Sequence, residues 1–135
     1  MRHKKERENR DGVLGIRVEV MNDFVGGKME RVYNKLVRDR IPEIIKNDGN
    51  EPIIRIMEKA EYKQSLFQKL HEEISEFTED ESIEELCDVL EVIDALKAVL
   101  GYSDEAISEI KSKKQTKNGA FNDRIFLEKV IVKDK

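Results

Sequence analysis

From residue 58 to residue 100 the apolar positions recur every three or four residues, the period of a helix with one buried face. Tyr62, Leu66, Phe67, Leu70, Ile74 and Phe77 follow this rhythm and predict a helix from Glu58 to about Thr78. Leu86, Val89, Leu90, Val92, Ile93, Leu96, Val99 and Leu100 continue it in a second helix. Ser82 followed by Glu85 is a capping-box pattern that opens this helix, and Gly101 ends it at Leu100. A link of about three residues between the two predicts an antiparallel helical hairpin. Ser103 then caps a third helix, "DEAISEIKSKKQTK", whose late lysines suit a helix C-terminus and which Asn118-Gly119 stops.

Outside these helices the pattern changes. "YNKLVRDRIPEIIKNDG" (33–49) reads as a short extended piece, then a helix with Pro42 in its first turn and a stop at Asp48-Gly49. "EPIIRIM" (51–57) reads as extended, "DRIFLEKVIV" (123–132) as a strand, and "VLGIRVEV" (13–20) as a short isolated strand. The expected fold class is therefore all-α, a mainly helical bundle with short strands at its margins.

At 135 residues the chain suits one domain with a small core. Two expectations attach to residues 1–28. "MRHKKERENRDG" is charged and unpatterned, which predicts disorder. Gly26-Gly27-Lys28 before Met29 reads as a translated purine-rich start signal, making Met29 the natural start; an ordinary flexible extension is the other reading. The domain is taken as residues 29–135. A net charge of −4 argues against a partner that is a nucleic-acid polymer. No apolar run is long enough for a bilayer, so no membrane partner is expected. The single cysteine, Cys87, fits a reducing cytoplasm, the expected location. It lies opposite the apolar stripe of its helix, with no basic motif to make it a nucleophile; His71 falls on the solvent side of its own helix.

Charged residues make up 40% of the chain, against about 25% in an average globular protein. Many are concentrated in the hairpin, where eleven carboxylates lie between Glu72 and Asp94. At about 100° per residue, Glu73 falls within the apolar stripe of the first helix and Glu76 on its flank. Glu85 falls within the stripe of the second, and Asp88 on its flank. Glu91 and Asp94 turn away. Antiparallel pairing would bring Glu73, Glu76, Glu85 and Asp88 together, and burying such a group requires a cancelling charge. All-carboxylate donors select a hard divalent ion, Mg2+ first and Mn2+ as its substitute.

"EEISE" (72–76) followed by "ELCD" (85–88) resembles the paired EExxE and ExxD motifs of the MazG-like, all-α NTP pyrophosphohydrolase superfamily. "YNKLVRDRIPEII" (33–45), with "NGAF" and "RIFLE" near the end, resembles its phosphoribosyl-ATP pyrophosphohydrolase-like branch. The likeness covers about residues 30–132. The spacer of eight residues between Glu76 and Glu85 is shorter than in many relatives, and Glu91 is kept as an accessory acid. The resemblance implies a helical bundle completed in a homodimer or homotetramer. It implies hydrolysis of a nucleoside triphosphate, or a related nucleotide, to the monophosphate and pyrophosphate, with house-cleaning of non-standard nucleotides as one role. Glu73, Glu76, Glu85 and Asp88 would hold the metal, and Glu72 would orient or deprotonate the water. Lys35, Arg38, Lys117 and Arg124 would meet the phosphates, with Tyr33 and Phe121 as candidate walls for the base. Two alternatives stand beside this reading: hydrolysis of phosphoribosyl-ATP in histidine synthesis, and a non-catalytic helical interaction module.

Overall fold

The computed structural model describes residues 20–134. Their elements are strands β1 (Val20–Val25) and β2 (Lys28–Val32), then helices α1 (Ile41–Asn47), α2 (Lys59–Asp80), α3 (Ile83–Leu100) and α4 (Asp104–Asn118). The chain is thus mainly helical, as its periodicity predicts. Contacts divide it into one unit ending at Leu100 and another beginning at Gly101.

β1 and β2 pair antiparallel around Gly26 and Gly27, both with positive φ, the backbone that a two-residue hairpin turn requires. The hairpin crosses the expected domain start at Met29: β1 lies before it and β2 contains it. Residues 1–19, expected to be disordered apart from an isolated strand, lie outside the described residues. After β2 the backbone bends at Asn34, which takes φ 48°, a left-handed conformation that asparagine tolerates better than most residues. Leu36, two residues on, packs against the helical core. This bend and anchor hold the "NKLVRD" stretch beside the helices. α1 follows with Pro42 in its first turn and Gly49, φ 85°, after its cap.

α2 and α3 are the frame of the first unit. Only Glu81 and Ser82 separate them, and Glu81 adopts the left-handed conformation, φ 53°, that reverses the chain. Leu66 on α2 packs with Val92 and Leu96 on α3, closed in by Tyr62, Leu70, Ala95, Val99 and Leu36. Leu66 is early in α2 and its partners are late in α3, so the pair is antiparallel. The Ser82 hydroxyl accepts a hydrogen bond from the Glu85 backbone N–H at 3.2 Å, the expected cap. Ser82→Ala should destabilise the protein by about 1 kcal/mol, read as a lower urea midpoint at unchanged slope. An unchanged midpoint would show that the cap is not needed.

The apolar stripes are wider than the contact between the two helices. Val89, Val92 and Leu96 are buried, but Leu86, Leu90 and Ile93 on the same helix remain exposed, as do Phe67 and Ile74 on α2. Two helices in contact cover only facing arcs, and an apolar stripe broader than 100° leaves a remainder.

Residues 51–58 form no regular element, in keeping with an extended reading. Arg55 in this segment grips Glu61 of α2 with two hydrogen bonds, 2.8 and 2.6 Å, which hold the Glu61 carboxyl below its ordinary range. In the second unit, α4 begins at Ser103, whose hydroxyl accepts from Ala106 N–H at 3.1 Å, and ends at Gly119. The strand expected at 123–132 does not form: residues after the bend near Phe121 have no regular structure, and Ile125, Phe126, Ile131 and Val132 are exposed. The segment has the β-branched composition of a strand but no neighbouring strand to complete its hydrogen bonds among the described residues. No described helix is long and apolar enough to cross a membrane.

Candidate metal centre

The antiparallel stagger of α2 and α3 determines which acids meet. One carboxylate oxygen from each of Glu73, Glu85 and Asp88 lies within 4.8 Å of the others across the helical hairpin. Glu85 is fully buried, at 0% exposure, in the first turn of α3 below its Ser82 cap. Glu73 and Asp88 are half-buried on either side of it. The Oε2 atoms of Glu73 and Glu85 are buried without a hydrogen bond, while both residues engage other groups as well.

Two cations pair with cluster members among the described residues, and a third, Lys35, pairs with the neighbouring Glu72. Lys69, one turn before Glu73 on α2, places Nζ 3.7 Å from Glu73 Oε1. Arg38 donates from Nη2 to Asp88 Oδ1 at 2.9 Å. Lys35 Nζ lies 3.7 Å from Glu72 Oε1. Lys35 and Arg38, singled out in the sequence by their place in "NKLVRDR", thus stand at the rim of the acidic cluster through ion pairs fifty residues apart in the Arg38 case. Lys69 was missed; its spacing of four before Glu73 was the signal that could have found it.

The remaining site residues separate. Glu76 is half-buried but is not among the three oxygens that converge. The expected four-way convergence thus reduces to three among the described residues. Glu72 is half-exposed outside the cluster, held by Lys35. Glu91, His71 and Cys87 are exposed. Tyr33 is half-buried in the first unit. Lys117, Arg124 and Phe121 belong to the second unit, where all three are exposed. An open concavity there, about 540 Å³, is lined by Tyr102, Ala106, Ile107, Ile110, Lys111 and Lys114 and holds none of the expected site residues.

The donor chemistry fits a divalent cation. Every cluster ligand is an oxygen, and one of the three carboxylates is wholly removed from water. Lys69 and Arg38 offset part of the negative charge of the three carboxylates by pairing with Glu73 and Asp88.

No protein-family profile matches the chain, and no solved structure matches it. The chain is similar to a protein of Mycolicibacterium smegmatis (strain ATCC 700084 / mc(2)155) described as uncharacterised, at 50% identity over 42 residues. That stretch is 31% of this chain and spans 43% of the relative's length. The matching segment is a domain-sized likeness at most and carries no activity with it.

Proposed function

We propose that this chain is a Mg2+-dependent nucleotide pyrophosphohydrolase of the MazG-like kind, converting a nucleoside triphosphate to the monophosphate and pyrophosphate. The observation that carries the reading is the meeting of Glu73, Glu85 and Asp88 oxygens at a buried point with Arg38 at its rim. Glu73, Glu85 and Asp88 are the ligands, and Glu76 is the fourth oxygen donor that the resemblance adds. A divalent ion bound there supplies charge neutralisation for the phosphates and lowers the pKa of water.

The chain's own groups do the rest. Arg38 presents a planar fork suited to two phosphate oxygens, and Lys35 adds a point charge beside it. Glu72, next to the cluster and held by Lys35, orients the attacking water and takes its proton. Water adds to the α-phosphorus, the bond from that phosphorus to the α–β bridging oxygen breaks, and pyrophosphate leaves with that oxygen. Tyr33 offers an aromatic wall for the base.

The same reading gives the uncovered apolar residues a purpose. Phe67, Ile74, Leu86, Leu90 and Ile93 leave an apolar strip on the helical hairpin. A second copy covering it would complete a four-helix bundle in a homodimer, or two such pairs in a tetramer.

Pyrophosphate release from a panel of canonical and modified nucleoside triphosphates, with phosphoribosyl-ATP alongside, tests the proposal. Release with Mg2+ from at least one triphosphate, abolished by a chelator, is the expected result. Release from phosphoribosyl-ATP alone would move the substrate to that compound. With no release, and no rise of melting temperature with Mg2+, the chain reverts to a helical interaction module.

A further inference from the structure

We infer that Arg38 is an exchangeable counter-ion: it holds Asp88 when no metal is bound and is handed to substrate phosphate when metal takes Asp88. The inference rests on the metal-site reading above and adds an order to it.

Two cations touch the cluster, and they are not equivalent. Lys69 sits on the same helix as Glu73, at four residues' spacing, with 24% of its side chain exposed. Its backbone position is fixed by α2. Arg38 comes from the loop between β2 and α1, reaching across fifty residues of chain to Asp88. Its side chain is 57% exposed and that of Asp88 39%, so the pair is a surface ion pair, the weak and easily exchanged kind. The short distance, 2.9 Å, shows that the two are nonetheless in full hydrogen-bond contact.

A divalent ion and a guanidinium compete for the same carboxylate charge. When Asp88 ligates metal, the field that holds Arg38 is largely cancelled, and the guanidinium is left at the rim of a site now bearing positive charge. An anion of the phosphate class is the partner that both then attract. Leu36 anchors this loop to the helical core two residues away, so release of the Arg38 side chain does not require the loop to leave. Metal and phosphate therefore bind cooperatively through one residue, and the coupling is reciprocal.

The prediction has opposite signs for the two ligands. In Arg38→Gln, Mn2+ alone should bind about two- to fivefold more tightly, the scale of an exposed ion pair removed from competition. Inorganic pyrophosphate at saturating Mn2+ should bind about tenfold or more weakly, because a charge-assisted bidentate contact is gone. Titration calorimetry measures both. Arg38→Lys, which keeps the charge without the fork, should restore Mn2+ affinity toward the parent value and pyrophosphate affinity only in part. Arg55→Gln, which removes a cation paired with Glu61 instead, should change neither. Unchanged or weaker Mn2+ binding in Arg38→Gln overturns the exchange, since Arg38 would then be idle or a support for Asp88. Failure of the parent protein to bind Mn2+ at all would instead overturn the metal site itself.

Discussion

Glutamine in place of Glu85 is expected to yield a protein that is more stable without metal and inactive with it. Glu85 is completely buried and its carboxylate converges with those of Glu73 and Asp88 within 4.8 Å. Two like charges at about 4.8 Å repel by roughly 3–4 kcal/mol at an effective dielectric of about 20. Lys69 and Arg38 offset part of this by pairing with Glu73 and Asp88. Glutamine keeps the shape and one acceptor oxygen while removing the charge. A gain of about 1–2 kcal/mol in the metal-free protein follows, a rise of several degrees in melting temperature. In the parent protein, saturating Mg2+ should raise the melting temperature by mass action, and in Glu85→Gln that rise should vanish. Pyrophosphate release should fall by about a hundredfold or more, as removing the groups that stabilise developing charge commonly does. Glu73→Gln should gain less stability, because Lys69 already neutralises Glu73 on its own helix. A Glu85→Gln protein that is less stable and still binds Mg2+ would make Glu85 a structural residue and remove the basis of the proposed chemistry.

Truncating Leu66 to alanine is expected to have the largest effect on stability. Leu66 is 3% exposed and is the α2 residue that meets both Val92 and Leu96. Loss of a buried leucine side chain costs about 3 kcal/mol or more when the site cannot collapse, and the helical pair offers few other contacts to absorb it. The melting temperature should fall by about 10 °C by circular dichroism. Because the same contact sets the register of α2 against α3, Mn2+ affinity should fall with it. Leu90→Ala is the informative contrast. Leu90 is 49% exposed, so in a monomer its truncation should cost little. If a second copy covers that strip, Leu90→Ala should lower stability by an amount that shrinks on dilution, as both proteins reach the monomer, seen together with a smaller species in sedimentation. A Leu66→Ala protein melting like its parent would show that the core of the helical pair lies elsewhere.

The local elements were legible because their signals are local. Ser82 and Ser103 accept the hydrogen bonds that their positions imply, Pro42 opens α1, and Gly49, Gly101 and Gly119 take the positive φ that ends a helix. The period of apolar residues gave α2 and α3 to within two residues at either end. It also placed Glu73 and Glu85 in buried stripes, since a helical angle is a property of spacing alone. The C-terminal segment shows the reverse. Its β-branched residues specify an extended chain, but a strand exists only where another backbone completes its hydrogen bonds.

What the sequence determined by itself is therefore the set of helices, their caps, and the side of each helix on which the acids and apolar residues fall. What only the tertiary structure decided is the stagger between α2 and α3, the arc of each stripe that is covered, and the arrival of Arg38 at Asp88. Rotation around a helix follows from residue count within one element. Translation of one helix along another follows from how Leu66 seats against Val92 and Leu96, and that translation decides that Glu73, Glu85 and Asp88 converge.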